Sequence, residues 1–231
     1  MNVYWAVWKD DLIPSAKHYS PEKAIHSFPE LTYPNPLNRC PAFTEYFKNT
    51  YSLKWPVSYS LSINNQGELT TNDYNQEFFD NFIFPRDVQK RAYTFATQYI
   101  FIAEQSLEVE MIKAHTVNTD FTRKVVMVPG LFDIGKWYRP LEIAAVIDLN
   151  CDSISLVEGE PYALVRFKTQ SKINLKRFHL TDSTKELIGR IVDTRNYPPL
   201  IKNRPLKYFY DMLKQSGYRK YILKQIKENK L

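Results

Sequence analysis

The stretch from residue 126 to residue 169 constrains the fold more than any other part of this chain. It contains four or five short runs of β-branched and aromatic residues, which are interrupted at Pro129-Gly130, Asn150 and Gly159. Because no helix-length segment separates these runs, they predict an antiparallel sheet and not a series of βαβ units. The expected fold class is mainly β (α+β): an antiparallel β-sandwich, jelly-roll-like, or a distorted barrel, followed by C-terminal helices.

A second β signal lies earlier in the chain. Every odd position from Tyr51 to Ile63 is apolar or aromatic, and this alternation predicts one strand with one face in the core. Pro56 lacks an amide donor, so we expect it at an edge or a bulge. Residues 64–67 have turn chemistry and predict a hairpin in which residues 68–71 return beside the strand.

Two further segments have strand patterns. Val3, Trp5 and Val7 alternate with other residues in a short first strand. The stretches 94–103 and 106–114 are also rich in apolar residues, and their closeness in the sequence predicts that they pair with each other as a hairpin.

Beyond residue 180 the apolar residues recur at helical spacing. Thr181 or Asp182 can cap a first helix. Residues 205–215 predict a second helix that ends at Gly217, and residues 218–229 predict a third.

These patterns divide the chain into two parts. Residues 1–180 are expected to form the β-sandwich-like domain, with a proline-rich connection at 14–41. Residues 181–231 are expected to form a basic helical appendage packed on it.

The basic charge of the chain is concentrated at its end. Residues 201–231 contain nine basic and two acidic residues, a net charge of +7, so residues 1–200, with 22 basic and 23 acidic residues, have −1. Lysines and arginines interleaved with tyrosines can bind nucleic acid, although a lysine-rich helix can also be a solvated surface. The candidate nucleic-acid-binding residues are Lys214, Arg219, Lys220, Lys224 and Lys227.

The chain has few residues with the spacing of a metal or catalytic site. None of its four histidines lies in an H-x-D, H-x-H or HExxH arrangement, and no GxSxG elbow is present. We therefore predict no catalytic residues, no metal and no cofactor. A site assembled from distant residues, such as His115 with Asp120 or His179 with Asp182, remains an alternative.

An aromatic and basic group is the best candidate for ligand binding. Trp137, Tyr138 and Arg139 follow one another at a predicted strand end, and Arg166 is expected beside them on a neighbouring strand. Tryptophan and arginine combine large contact area with directed hydrogen-bond donors, so they are frequent binding anchors. The same residues can instead close the sandwich, which is the structural alternative.

The sequence is expected to be that of a soluble, cytoplasmic protein. The N-terminus has no basic region and reaches two acids by residue 11, so it does not predict a signal peptide, and the two cysteines do not predict a disulfide framework. No apolar run approaches the roughly 18–20 residues of a membrane span.

Several motifs in combination resemble an uncharacterised family of large tailed phages of marine bacteria, also present in some bacterial genomes. The motifs are CPAF at residues 40–43 with YFKNTY at 46–51, PGLFDIGKWYRP at 129–140 and GEP at 159–161. The resemblance covers about residues 38–169. It implies no activity, cofactor or partner, but it implies a phage-encoded protein acting in the host cytoplasm or in the virion.

We therefore expect a non-enzymatic binding or assembly module whose partner is another protein or a second copy. One alternative is an enzyme on a jelly-roll scaffold, either a metal-dependent oxygenase or a nucleotide hydrolase. Another is a nucleic-acid-associated factor that uses residues 201–231.

Overall fold

A computed structural model describes residues 1–9, 20–26, 39–71, 76–196, 206–215 and 217–231, except for the side chains at 76–78, 194–196, 206, 207 and 214. Within these residues the fold is mainly β, with several antiparallel sheets and C-terminal helices, as predicted. The described sheets do not close into a barrel, and the architecture is consistent with an α+β sandwich. Most of the proline-rich connection at 14–41 lies outside the described residues.

The strands and helices follow one another along the chain. The strands are β1 (Asn2–Val7), β2 (Glu22–Lys23), β3 (Thr50–Lys54), β4 (Tyr59–Ile63), β5 (Leu69–Thr71), β6 (Ile83–Asp87), β7 (Ala92–Ala96), β8 (Tyr99–Ala103), β9 (Glu108–Lys113), β10 (Val125–Val128), β11 (Gly130–Asp133), β12 (Glu142–Ile147), β13 (Ser153–Leu156), β14 (Pro161–Phe167) and β15 (Asn174–Arg177). The helices are α1 (Pro41–Tyr46), α2 (Gln76–Phe82), α3 (Asp120–Lys124), α4 (Asp182–Asn196), α5 (Leu206–Gln215) and α6 (Gly217–Glu228), and a 3-10 helix covers Ala24–His26.

The described strands form four sheets. Their strand orders are β15-β1-β8, β10-β12-β7-β6, β11-β9-β14-β3-β2 and β13-β4-β5. All strand pairs among the described residues are antiparallel except β1 with β15. The prediction of several short antiparallel strands at 126–169 is confirmed, but the five strands β10–β14 belong to three different sheets.

The predicted single strand at 51–63 is wrong, because the structure has two strands there in different sheets. Pro56 lies in the break between β3 and β4, where the chain bends, since its missing amide cannot extend a ladder. The predicted hairpin after Ile63 is confirmed, with Ile63 paired to Leu69. Gly67 permits this turn because its φ is 86°.

The predicted hairpin of 94–103 with 106–114 is also wrong. β8 pairs with β1, whereas β9 pairs with β11 and β14 in another sheet. The reason is that β8 is buried along its whole length, so its partners are set by the layers packed on it and not by its nearest neighbour in the sequence.

The strands β1 and β8 separate two apolar cores. Val3 and Trp5 of β1 face the larger core between the sheets, and Tyr4 and Ala6 face the helices. The second core also contains Ile188, Ile191, Ile222 and Ile226 from α4 and α6. The helices therefore cover the outer face of the β15-β1-β8 sheet.

The helix signals were partly correct. Thr181 caps α4 because its Oγ1 accepts a hydrogen bond from the amide of Thr184 at 3.3 Å, as predicted. Gly217 begins α6 and does not end α5, contrary to the prediction. None of the helices in the described residues has the length and apolarity needed to cross a bilayer.

Candidate anion-binding cleft

The cleft forms where α1 covers the outer face of the five-stranded sheet. α1 begins after Cys40, and Pro41 occupies its first turn, where a missing amide donor costs no helical hydrogen bond. Phe47 ends the helix and is buried with Ala24 and Leu164 in a small apolar cluster. Burial of this cluster holds α1 against the sheet.

Arg166 of β14 lies in the wall of the cleft. In the sheet register it stands between Glu110 of β9 and Thr50 of β3. Nη1 donates to Oε2 of Glu110 over 3.2 Å, Nε donates to Oγ1 of Thr50 over 3.4 Å, and the guanidinium lies 4.2 Å from the centre of the Tyr46 ring. Nη2 is buried and has no hydrogen-bond partner among the described residues. The guanidinium therefore keeps one unused donor group beneath the Tyr46 ring.

Glu110 is shared between two cations. Nζ of Lys168 lies 2.8 Å from the same carboxylate oxygen that Arg166 contacts. The hydrogen bond from Lys168 holds the pKa of Glu110 below its ordinary value of 4.5; burial acts in the opposite direction, and Arg166 adds to the lowering. Since one carboxylate faces two cations, this wall of the cleft keeps a positive charge at neutral pH.

Two shallow clefts adjoin at this place and share Lys48 and Gln170. Their volumes are about 560 Å³ and about 340 Å³. Among the described residues, five cations and one acid line them: Lys23, Lys48, Arg166, Lys168, Lys172 and Glu45. We call the two together the basic cleft.

Asn49 positions the loop that forms one side of the basic cleft. Its backbone is left-handed, with φ of 52°, a conformation that asparagine tolerates better than most residues. Nδ2 donates to the carbonyl oxygens of Thr169 and Ser171 over 2.8 and 2.9 Å, and Oδ1 accepts from the amide of Ile173 over 3.2 Å. One side chain thus ties the residues after β14 to the start of β3.

The other three predicted ligand residues lie apart from Arg166, at the contact with α5. The Trp137 ring stacks on Tyr210, with centroids 4.6 Å apart. Arg139 is 3% exposed; its Nε donates to the hydroxyl of Tyr210 over 2.8 Å and its Nη1 lies 2.7 Å from the Glu142 carboxylate. These donors are used within the protein and join the strands to the helices.

Tyr138 is fully buried at the same contact. Its hydroxyl donates to the carbonyl oxygen of Gly135 over 2.7 Å. Burial raises the pKa of Tyr138 to about 12, against an opposing effect of Arg219. The hydroxyl therefore remains a protonated donor near neutral pH.

The predicted nucleic-acid residues of α6 have different surroundings. Arg219 donates to the carbonyl oxygen of Glu104, and Lys227 lies 3.8 Å from the carboxylate of the same residue. Lys224 lies 3.8 Å from Glu228 within the helix. Lys220 is exposed, and the side chain of Lys214 lies outside the described residues.

The helices line a second groove. Leu187, Arg190 and Tyr218 line both of its parts, whose volumes are about 490 Å³ and about 230 Å³. Arg190 pairs with Glu186 over 2.6 Å. The groove adjoins α5 and α6 and has no cluster of cations comparable to the basic cleft among its described residues.

No three His, Cys, Asp or Glu side chains within the described residues come close enough together to hold a metal ion. For the predicted alternative of His115 with Asp120, each side chain has other contacts. Nδ1 of His115 is 3.2 Å from the carbonyl oxygen of Lys113, and Asp120 binds Arg123 and Lys124 over 3.0 and 2.9 Å.

Sequence reasoning identified Arg166 but missed its neighbours in the basic cleft. Tyr46 and Lys48 lie in the motif at residues 46–51, which contained no recognisable chemistry. Glu110 alternates with apolar residues, as a solvent-facing strand residue does, so the pattern indicated exposure and not its ion pairs. The sheet register brings Glu110 to Arg166, and the packing of α1 on that sheet brings Tyr46 and Lys48 to them.

Comparison with known proteins finds no match for this chain: no protein-family model, no curated protein and no solved structure is similar to it at a significant level.

Proposed function

We propose that this protein is a non-enzymatic binding module that takes an anionic ligand, or an anionic group of a partner, in the basic cleft. The concentration of cations at this place supports the proposal. Five cations and Glu45 line the cleft in the described residues, and with Glu110 in its wall these groups have a net charge of +3, although residues 1–200 together have −1. A local excess of this kind raises the potential at one place on an otherwise balanced surface.

The arrangement of donors also suits an oxyanion. Lys48 and Lys168, whose side chains are each 41% exposed, offer ammonium donors at the surface of the cleft, and the Arg166 guanidinium adds positive charge to its wall. Charge-assisted hydrogen bonds from such groups to carboxylate or phosphate oxygens are stronger than neutral ones. Lys48 follows the end of α1 and already contacts Oε1 of Gln170 over 2.9 Å.

The test is calorimetric titration with pyrophosphate at low ionic strength. The double variant Lys48→Gln/Lys168→Gln removes two cleft cations, and we expect its affinity to fall about tenfold or more. The matched control is Lys90→Gln/Lys224→Gln, which makes the same change of net charge elsewhere. Lys90 pairs with Asp87 over 3.2 Å at three-residue spacing, as Lys48 does with Glu45. Equal affinities for the two double variants, or no binding by the unmodified protein, would reject the proposal.

The phage origin that the motifs indicate is part of this proposal. The motif residues 40–51 form α1 and the start of β3, which are two of the elements that build the basic cleft. Mass spectrometry of purified particles of a phage that encodes this chain would detect it if the protein acts in the virion. Its absence from particles and presence in infected-cell extracts would assign it to the host cytoplasm.

A further inference from the structure

The cations of the basic cleft are distributed along it. Arg166 and Lys168 line the first part, Lys23 and Lys172 line the second, and Lys48 belongs to both. A single phosphate or carboxylate engages two or three donors at one point. A series of cations along an open groove instead matches a chain of phosphates.

An exposed aromatic ring lies at one end of this series. The Tyr46 side chain is 46% exposed although it packs on the guanidinium of Arg166. Its ring makes edge contacts with Phe47 and His115, at centroid distances of 4.9 and 5.9 Å. The ring is thus held in place by three neighbours while part of it faces solvent.

We infer that the basic cleft binds single-stranded nucleic acid, with phosphates along its cations and a base stacked on Tyr46; this inference rests on the proposed anion-binding function. Base stacking on a fixed aromatic ring is tolerant of sequence and adds to the charge contacts. An acidic peptide would use the same cations but has no comparable use for the ring. The α6 face is a weaker candidate, since the groove beside α6 has no comparable series of cations among its described residues.

The binding is measured by fluorescence anisotropy with a labelled oligothymidine of about ten nucleotides. We expect binding at low salt whose affinity falls steeply as salt is added. Each neutralised phosphate of a single strand contributes about −0.7 to the slope of log affinity against log salt, so three to five contacts predict a slope of about −2 to −3.5. The double variant Lys48→Gln/Lys168→Gln should lower the magnitude of this slope by about 1.4.

The ring is tested by Tyr46→Leu, which keeps an apolar side chain over Arg166 but removes the stacking surface. We expect this variant to bind the oligonucleotide about tenfold more weakly. Tyr46→Phe retains the ring and should bind as the unmodified protein does. Tyr218→Leu is the matched control, because Tyr218 on α6 is also 46% exposed. Thermal unfolding of each variant checks that it is folded.

The two probes distinguish nucleic-acid binding from the binding of a simple anion. Pyrophosphate binding without oligonucleotide binding would overturn the nucleic-acid assignment and leave the anion site in place. Competition by polyglutamate as effective as by unlabelled oligothymidine, with no effect of Tyr46→Leu, would also overturn it. Loss of binding in Tyr218→Leu or in Lys220→Gln, with Tyr46→Leu unaffected, would move the site to α6. Failure to bind either probe would reject both.

Discussion

Nε of Arg139 donates a hydrogen bond to the hydroxyl of Tyr210 over 2.8 Å, and this contact joins the strands to α5. Both side chains are buried, at 3% and 5% exposure. A buried guanidinium depends on its hydrogen-bond partners, because an unpaired charged donor loses its hydration without compensation.

Tyr210→Phe should therefore destabilise the protein. The variant keeps the ring that stacks on Trp137 but leaves Nε of Arg139 without this acceptor. The expected loss in the free energy of unfolding is about 1.5–3 kcal/mol, since the bond involves a charged group. Urea denaturation measures the change, and Tyr218→Phe on the exposed face of α6 is the control with an expected change near zero. Equal stability of the two variants would mean that the hydroxyl does not support the contact.

Asn49 gives a prediction that separates backbone strain from side-chain bonding. Asn49→Ala removes the hydrogen bonds to Thr169, Ser171 and Ile173. Alanine, which has a Cβ, is then held in the left-handed conformation at φ of 52°. Asn49→Gly removes the same bonds but relieves the left-handed conformation. Both variants should be less stable than the unmodified protein, and the alanine variant by about 1 kcal/mol more than the glycine variant. Urea denaturation of the three proteins measures their free energies of unfolding. A glycine variant less stable than the alanine variant would contradict the prediction.

The ion pairs of Glu110 predict a pH dependence. Its pKa in the folded protein is lowered from 4.5, chiefly by the hydrogen bond from Lys168. A carboxyl group of this kind stabilises the fold above its unfolded pKa, and that contribution disappears as the pH falls through the lower folded value. The contribution is about 1 kcal/mol or less, because the side chain is 27% exposed and the pairs are partly screened.

The titration can be followed by NMR of the Glu110 carboxyl carbon. We expect a midpoint below 4.5 in the unmodified protein and a higher midpoint in Lys168→Gln. A midpoint at or above 4.5 before any substitution would contradict the ion-pair geometry.

The alternation in the sequence described the two strand faces correctly where one face is buried, but not where both faces are buried. In β4, Tyr59 and Leu61 are buried and Ser60 between them is exposed, so the alternation correctly predicted one buried and one exposed face. In β3, Ser52 is as buried as Leu53, because the 3-10 helix at Ala24–His26 and α1 pack on the outer face of the sheet. The same alternation continued across Pro56 and concealed the break.

The basic cleft could not be predicted for a different reason, namely the distance along the chain between its parts. Glu110 is 56 residues from Arg166, and Asn49 is 120 residues from Thr169. Local sequence patterns indicate the face of a strand on which each side chain lies. The order of the strands in the sheet decides which side chains from different strands are in contact. Arg166 was a candidate from its residue type, and its partners followed only from the pairing of β9, β14 and β3.

Alanine substitutions at two glycines should change the stability of the protein in opposite directions. A Cβ at Gly67 would lie 2.6 Å from the carbonyl oxygen of Val88, and its φ of +86° disfavours any other residue. Gly67→Ala should therefore destabilise the protein by about 1–3 kcal/mol and weaken the hairpin of β4 with β5. Gly217→Ala meets no atom within 4 Å and lies in α6, where alanine favours the helix by up to about 1 kcal/mol. Thermal unfolding should place the first variant below the unmodified protein and the second at or above it, and a stable Gly67→Ala protein would show that the turn can adopt another backbone conformation.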